Sequence, residues 1–387
     1  MPIINRIAEF HREMTEWRRD LHAHPELALQ EIRTSGMVQE KLRSFGIDEI
    51  VTGMARTGVV GVIRGHGTSD RAIGLRADMD ALPIQEETGV PHASCTPGVF
   101  HGCGHDGHVA MLLGAAQHLA RARRFDGTVN FIFQPAEEGL AGARAMVDDG
   151  LFERFPCERV FALHNWPDLP AGTIATRPGP IMAAADRFEI TVEGRGGHAA
   201  IPQNTPDAIL AASTLVAELN TIVSRRIPPT SSAVLSVTRI AGGHSHNVLP
   251  ASVTIVGTVR TFDLSVQDRI EGAIRQIAAG VGQASGTHVD VRYQRYYPAT
   301  INDPAAAAEA LQAAATVASA ELAPEPAFTS EDFAFMLRAC KGAYLWLGQA
   351  GAGEPVSLHN PKYDFNDDVL GTGIGLHVAL AERLLSA

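Results

Sequence analysis

Cys103 and His105 stand two residues apart between glycines, in Phe100-His101-Gly102-Cys103-Gly104-His105-Asp106-Gly107-His108, and Gln134-Pro135-Ala136-Glu137-Glu138 follows downstream. Thiolate sulfur, imidazole nitrogen and carboxylate oxygen are the ligands of borderline divalent ions such as Zn²⁺. Of two adjacent carboxylates, one can ligate while the other takes the proton from a water molecule, which metal-assisted hydrolysis requires. The residues therefore predict a metallohydrolase. Gly102-x-Gly104-x-x-Gly107 also matches the dinucleotide fingerprint, which would make the chain an NAD-dependent oxidoreductase. That fingerprint works only as the turn between a strand and a helix, and the preceding Ser94-Cys95-Thr96-Pro97-Gly98 is loop chemistry. Serine hydrolysis is disfavoured because no Gly-x-Ser-x-Gly occurs.

These groups need a scaffold, and 387 residues can build a large core in more than one domain. With 45% hydrophobic and 19% charged residues the chain reads as globular. Its net charge of −11 would repel phosphate backbones, so nucleic acid is not expected as a partner. Cys95, Cys103, Cys157 and Cys340 show no framework spacing, which suits a reducing compartment. The sequence contains neither a signal-peptide pattern at Met1–Glu13 nor a long apolar run, so no membrane association is expected and the cytoplasm is the default location.

Helical periodicity is read over Ile4–Leu21, Glu31–Phe45 (stopping at Gly46) and His108–Arg123, the last capped by Asp106. Buried strands are read at Val59–Arg64, Ala72–Arg76, Thr128–Phe133 and Val160–Leu163, with a short helix over Gly142–Val147. From Asp186 the texture becomes strand (Phe188–Val192), helix (Pro206–Ser224), strand (Ala233–Ile240), strand (Ser252–Thr261), helix (Val266–Ala284), strand (His288–Arg292). That is the ferredoxin-like βαββαβ order. Alternating elements then resume: helices over Pro304–Ala320 and near Glu331–Arg338, strand Ala343–Leu347, and a closing helix over Val369–Leu385. The fold expected is α/β: a catalytic domain in two pieces (1–180 and 297–387) on a mixed, largely parallel sheet, with a βαββαβ domain inserted at 181–296. Chemistry in such sheets sits at the carboxyl ends of strands. Asp78, Asp80, the Cys103 loop, Glu137, Glu138, His164 and His359 all fall there.

Arg76-Ala-Asp-Met-Asp-Ala-Leu-Pro83, His101–His108, Phe133–Glu138, Gly194-Arg-Gly-Gly-His198 and Asn247-Val-Leu-Pro250 occur in that order, with Gly257-Thr-Val-Arg260, Ser330-Glu-Asp-Phe333 and Leu358-His-Asn-Pro361 after them. The chain closely resembles the peptidase M20 family of metallo-aminoacylases, in the branch of hippurate hydrolases, N-acyl-amino-acid amidohydrolases and plant auxin-conjugate hydrolases. The resemblance implies two divalent ions per subunit (Zn, Mn, Co or Ni) held by Cys103, His105, Glu138, His164 and His359, with Cys103 bridging. It implies Glu137 as general base, Asp80 as the group orienting a ligand imidazole, His198 as oxyanion donor, and Asn247 and Arg260 as ligands of the substrate's free carboxylate. The substrate implied is an N-acyl-L-amino acid, with a dipeptide as the alternative. The inserted domain is implied as a lid and homodimer contact, with a tetramer also compatible and His198 reaching across to the partner. Asp78 stands where most branches of the superfamily place a metal-binding His.

Other histidines have structural readings. His22 and His24 close a helix, His101 and His108 read as hydrogen-bonding supports of the key loop, and His244 and His246 as loop or substrate-edge residues.

Overall fold

Apolar runs such as Val59-Val60-Gly61-Val62-Ile63 and Phe131-Ile132-Phe133 are buried on both faces, the pattern of strands covered by helices on each side. The computed structural model describes residues 7–351 and 353–386. The expected helix start at Ile4 lies outside them. The chain forms two units. One ends its first segment at Ile181 and takes in Ile301–Glu325 and the chain from Asp332 onward; the other is Met182–Thr300 with Pro326–Glu331.

The principal elements, in chain order, are α1 (His11–Ala23), α2 (Ile32–Phe45), β1 (Glu49–Met54), β2 (Gly58–Arg64), β3 (Ala72–Asp78), α3 (His105–Ala122), β4 (Thr128–Gln134), β5 (Arg159–Pro170) and β6 (Thr173–Thr176), with short helices between β4 and β5 that include the one expected from Gly142, here Gly142–Asp148. Next come β7 (Ala184–Glu193), α4 (Ala208–Leu219), α5 (Thr221–Arg226), β8 (Ala233–Ala241), β9 (Ser252–Thr261), α6 (Leu264–Ser285) and β10 (His288–Tyr297). Last are α7 (Pro304–Ala314), β11 (Ser319–Leu322), α8 (Ala334–Ala339), β12 (Gly342–Ala350) and α9 (Leu370–Leu384).

In the first unit, one sheet runs β1-β2-β4-β3-β5-β12-β6-β11. Its centre, β4-β3-β5-β12, is parallel, β1 and β2 are antiparallel at one edge, and β6 is antiparallel to β12. This is the mixed, largely parallel α/β sheet expected. Helix α3 is buried from His105 to Leu119. Gly114 permits that burial, since a Cβ there would come within 2.9 Å of Met14 on α1 and 2.7 Å of Ile374 on α9.

The second unit is a four-stranded antiparallel sheet in the order β8-β9-β7-β10, with α4, α5 and α6 against it, the ferredoxin-like arrangement. Asp207 and Asp263 cap α4 and α6 through side-chain acceptance of two backbone N–H groups each. Pro326–Glu331 belongs to this unit, not to the 297–387 piece, because Ala183 N–H donates to Ala327 O and Thr329 O, and Phe328 packs on Phe262.

Several boundaries differ from expectation. Helix α3 begins at His105, so Asp106 is not its cap; Asp106 turns inward to Arg18 and His22. The helix read over Pro206–Ser224 breaks at Asn220. The alanine-rich helix stops at Ala314, and the stretch beyond supplies β11. The helix read near Glu331–Arg338 is the shorter α8.

Candidate metal centre

His105 and His164 each have one ring nitrogen held by a backbone carbonyl, which fixes the ring and leaves the other nitrogen facing the cluster. His164 Nδ1 lies 2.8 Å from the carbonyl oxygen of Asn165, which can only accept, so Nε2 carries the lone pair. That Nε2 is 3.5 Å from Cys103 Sγ. His105 Nδ1 likewise lies 2.9 Å from the backbone oxygen of Asp80, and its Nε2 is buried with no hydrogen-bond partner among the described residues. Cys103, Glu138 and His359 offer ligand atoms within 4.8 Å of one another, and so do His105, Glu137 and Glu138. His359 Nε2 is 3.1 Å from Glu138 Oε1. His359 has a left-handed backbone (φ 64°), and its N–H donates to Gly102 O at 2.8 Å, which ties the last donor to the cysteine loop. The structure thus gathers Cys103, His105, Glu138, His164 and His359 in one place.

The electrostatics fit a cation. Burial, then the carboxylates of Glu138, Glu137 and Asp78, push the Cys103 thiol well above its usual range, so a thiolate there requires positive charge beside it. Burial pulls His105 down, but Asp78, Asp80 and Glu138 outweigh it and raise it to about 10. Burial and the neighbouring His108 keep His164 neutral, far below its usual value. A soft sulfur, two imidazoles fixed through their far nitrogens and a carboxylate are a donor set that divalent transition metals take.

Asp80 holds the adjacent carboxylates Glu137 and Glu138 from behind. Its Oδ1 accepts from Glu137 N–H at 3.0 Å and its Oδ2 from Glu138 N–H at 2.9 Å. Its Oδ1 also lies 3.4 Å from His105 Nδ1. Glu137 is buried, and its Oε1 accepts from Asp332 N–H at 3.3 Å. Ala136 takes a left-handed backbone (φ 55°) and turns the pair off the end of β4.

Asp78 stands at the end of β3 and is not free to replace a ligand directly. It accepts from Arg76 at 2.8 Å and faces His108 Nδ1 at 2.5 Å. His108 Nε2 in turn meets Asn165 Oδ1 at 2.6 Å and accepts from Asn165 N–H at 3.1 Å, and His108, Asp78, His105 and His164 offer ligand atoms within 4.8 Å of one another. His101 differs from expectation: it is buried, and neither ring nitrogen has a hydrogen-bond partner among the described residues. His22 is part of a buried network in which Asp106 Oδ2 receives Arg18 Nε at 2.8 Å and faces His22 Nδ1 at 2.7 Å. Sequence reading missed Asn165 and Arg18; the Arg18/His22 spacing of one helical turn was the available signal.

The second unit carries the remaining candidates. His198 Nδ1 accepts from Ala200 N–H at 3.1 Å, which leaves Nε2 as the ring's donor. His198 pairs with Val248 across a two-stranded ribbon, and Ala199 N–H donates to Asn247 O, so His198 and Asn247 are neighbours. Arg260 is half-buried, donates to Thr258 Oγ1 and Val259 O, and has no ion pair among the described residues. His244 and His246 lie in an exposed or half-exposed loop.

Residues 74–383 match Peptidase family M20/M25/M40. The chain belongs to this family. It is 40% identical to the hippurate hydrolase of Campylobacter jejuni, with all of both chains aligned. It is 39% identical to an N-acetylcysteine deacetylase of Bacillus subtilis, over 93% of this chain and 94% of that one. Among solved structures it resembles the B. subtilis YXEP protein, a dinuclear metal binding peptidase from the M20 family. The TM-score is 0.86 at 35% identity, covering 98% of this chain and 99% of the other. The dinucleotide reading of Gly102–Gly107 fails on local geometry as well. No strand of the sheet leads into the loop; Phe100 only bridges to Leu82, and Gly107 is needed because a Cβ would meet the Phe365 ring at 2.4 Å.

Proposed function

We propose that this M20 protein is a metal-dependent amidohydrolase that cleaves N-acyl-L-amino acids to a carboxylic acid and a free amino acid. The observation that carries the reading is the grouping of five donors around Cys103 with a further carboxylate, Glu137, fixed beside them. Relatives named hippurate hydrolase, N-acetylcysteine deacetylase and N-acetyldiaminopimelate deacetylase support the reaction class. A pair of divalent ions supplies Lewis acidity toward the amide carbonyl and lowers the pKa of water. Cys103, His105, Glu138, His164 and His359 would hold that pair.

Glu137 takes the proton from the attacking water and passes it to the leaving amine. Asp80 keeps Glu137 in position through its backbone N–H and keeps the His105 tautomer fixed. The His198 Nε2–H is the donor for the developing oxyanion. Arg260, a cation with no ion pair among the described residues, binds the free carboxylate of the amino acid, and Asn247, which neighbours His198, reaches the same carboxylate from a second copy. The protein works as a homodimer through its inserted unit. Among the described residues no helix is long and apolar enough to cross a membrane.

The test is hydrolysis of a panel of N-acyl-L-amino acids and dipeptides by protein reconstituted separately with Zn²⁺, Mn²⁺, Co²⁺ and Ni²⁺. Release of the free amino acid from N-acyl substrates is expected. Activity on dipeptides alone, or activity indifferent to chelation, would sink the reading.

A further inference from the structure

Two of the chain's three tryptophans meet beside the metal-ligand imidazole. Trp346 is the register partner of His164 across the parallel β5/β12 pair, and Trp166 is the partner of Gly348. Register partners project to the same face, and so do residues two apart on a strand. His164, Trp166 and Trp346 therefore share one face of the sheet. The two indoles stack with centroids 4.3 Å apart and planes 18° from parallel. Gly348, opposite Trp166, is required by close packing, since a Cβ there would come within 2.1 Å of Pro170 O, whereas Trp166 itself is partly exposed.

Simple core filling does not account for this pair. Trp346 is 5% exposed, yet its Nε1 has no hydrogen-bond partner among the described residues. A buried indole N–H ordinarily finds an acceptor. A flat apolar shelf carrying an unsatisfied donor, next to a metal ligand, suits a ligand group better than permanent packing.

We infer that the Trp166–Trp346 stack is the seat of the acyl group and selects flat, aromatic acyl groups over acetyl. The inference rests on the reaction proposed above, in which the scissile amide, and so the acyl group, lies beside the donors around His164. Stacking and burial of an aryl ring on two indoles stabilise the aromatic substrate, and an acetyl group gains little from them.

The experiment compares wild type with Trp346→Leu, Trp166→Leu and Trp346→Phe on N-benzoylglycine and N-acetylglycine, with metal content measured for each. Either leucine variant should lose roughly tenfold or more in kcat/KM for the benzoyl substrate and change little for the acetyl one, with metal content unchanged. Trp346→Phe, which keeps a ring but no N–H, should fall between. Benzoate binding to metal-loaded protein, followed by tryptophan fluorescence, reads the same seat without turnover. Wild type that binds benzoate through these indoles yet hydrolyses neither substrate would remove the proposed reaction and leave the seat standing. Equal loss on both acyl groups, or benzoate quenching unaltered in Trp346→Leu, overturns the seat.

Discussion

Arg260 lies near one end of an antiparallel ladder and His198 beyond its other end. Arg260 pairs with Ala185 where β7 begins, and the ladder runs on to Ser252 opposite Glu193. It continues through Gly194 N–H to Ala251 O and reaches His198 opposite Val248. Eight residues of strand alone span about 27 Å. An N-acyl amino acid is far shorter. One copy of this unit therefore does not present both side chains to one such substrate, although each has the chemistry a substrate would need.

If both act on the same substrate, His198 must come from a second copy, and we predict that it works in trans. Inactive His198→Ala chains mixed with inactive Glu137→Gln chains, under conditions that exchange subunits, form mixed dimers with one complete site each. Random pairing in a two-fold dimer should restore about a quarter of wild-type sites. No recovery, with exchange verified independently, would mean that His198 serves its own subunit or none.

Glu137→Gln should retain metal and fold and lose activity by about 10²-fold or more, the size expected when a general base is removed. The amide still accepts from Asp332 N–H through its carbonyl oxygen, so burial alone is not a reason for it to unfold. Metal per chain and hydrolysis are to be measured on the same preparation. A fully active variant would remove Glu137 from the mechanism.

Much of this site could be read from the sequence because ligand chemistry is confined to few residue types. Cys103, His105 and the Glu137-Glu138 pair announce themselves by type and spacing, and His164 by ending an apolar run. The inserted unit was legible because βαββαβ alternation switches clearly between periods of two and of 3.6. What could not be read lies in long-range pairing. Nothing local tells that Asp106 answers Arg18 and His22 from another helix, 88 positions from Arg18, rather than capping its own. Strand β11, largely exposed at a sheet edge, has too little apolar alternation to separate it from the alanine-rich helix before it. Trp166 and Trp346 become a pair only through the register of β5 with β12.

Cys103→Ala should lose metal and activity together. Its sulfur lies against His164 and shares a cluster with Glu138 and His359, so its removal opens the centre of the donor set. Metal per chain and hydrolysis are to be measured on the same preparation, and a variant that keeps its full metal content would show that Cys103 is not a ligand.

Asp80→Asn tests the layer behind the ligands. Each carboxylate oxygen of Asp80 accepts one backbone N–H, from Glu137 and from Glu138. An amide keeps one acceptor and turns a donor toward the other N–H. Metal affinity should fall about 10- to 100-fold, as is typical when an outer partner of a ligand is lost. Titration of the apo variant with Zn²⁺ against wild type checks it, and unchanged affinity would confine Asp80 to a structural role.

The last prediction concerns pH and the buried network around Arg18. Burial acts to lower the His22 pKa, but the hydrogen bond and charge of Asp106, followed by Glu86, raise it from 6.5 to about 9. A group whose folded pKa is raised contributes stability that is complete below its unfolded pKa and lost as pH rises through the folded one. The contribution of His22 should thus be full below about pH 6.5 and gone above about pH 9. By linkage it is worth at most about 3 kcal/mol. Denaturant unfolding of wild type and His22→Gln across pH 6 to 9.5, at fixed metal, reads it as a difference in which metal binding largely cancels. The wild-type advantage should be greatest at pH 6 and shrink steadily toward pH 9. A difference independent of pH would mean that His22 is held neutral and that Asp106 draws its compensation from Arg18 alone.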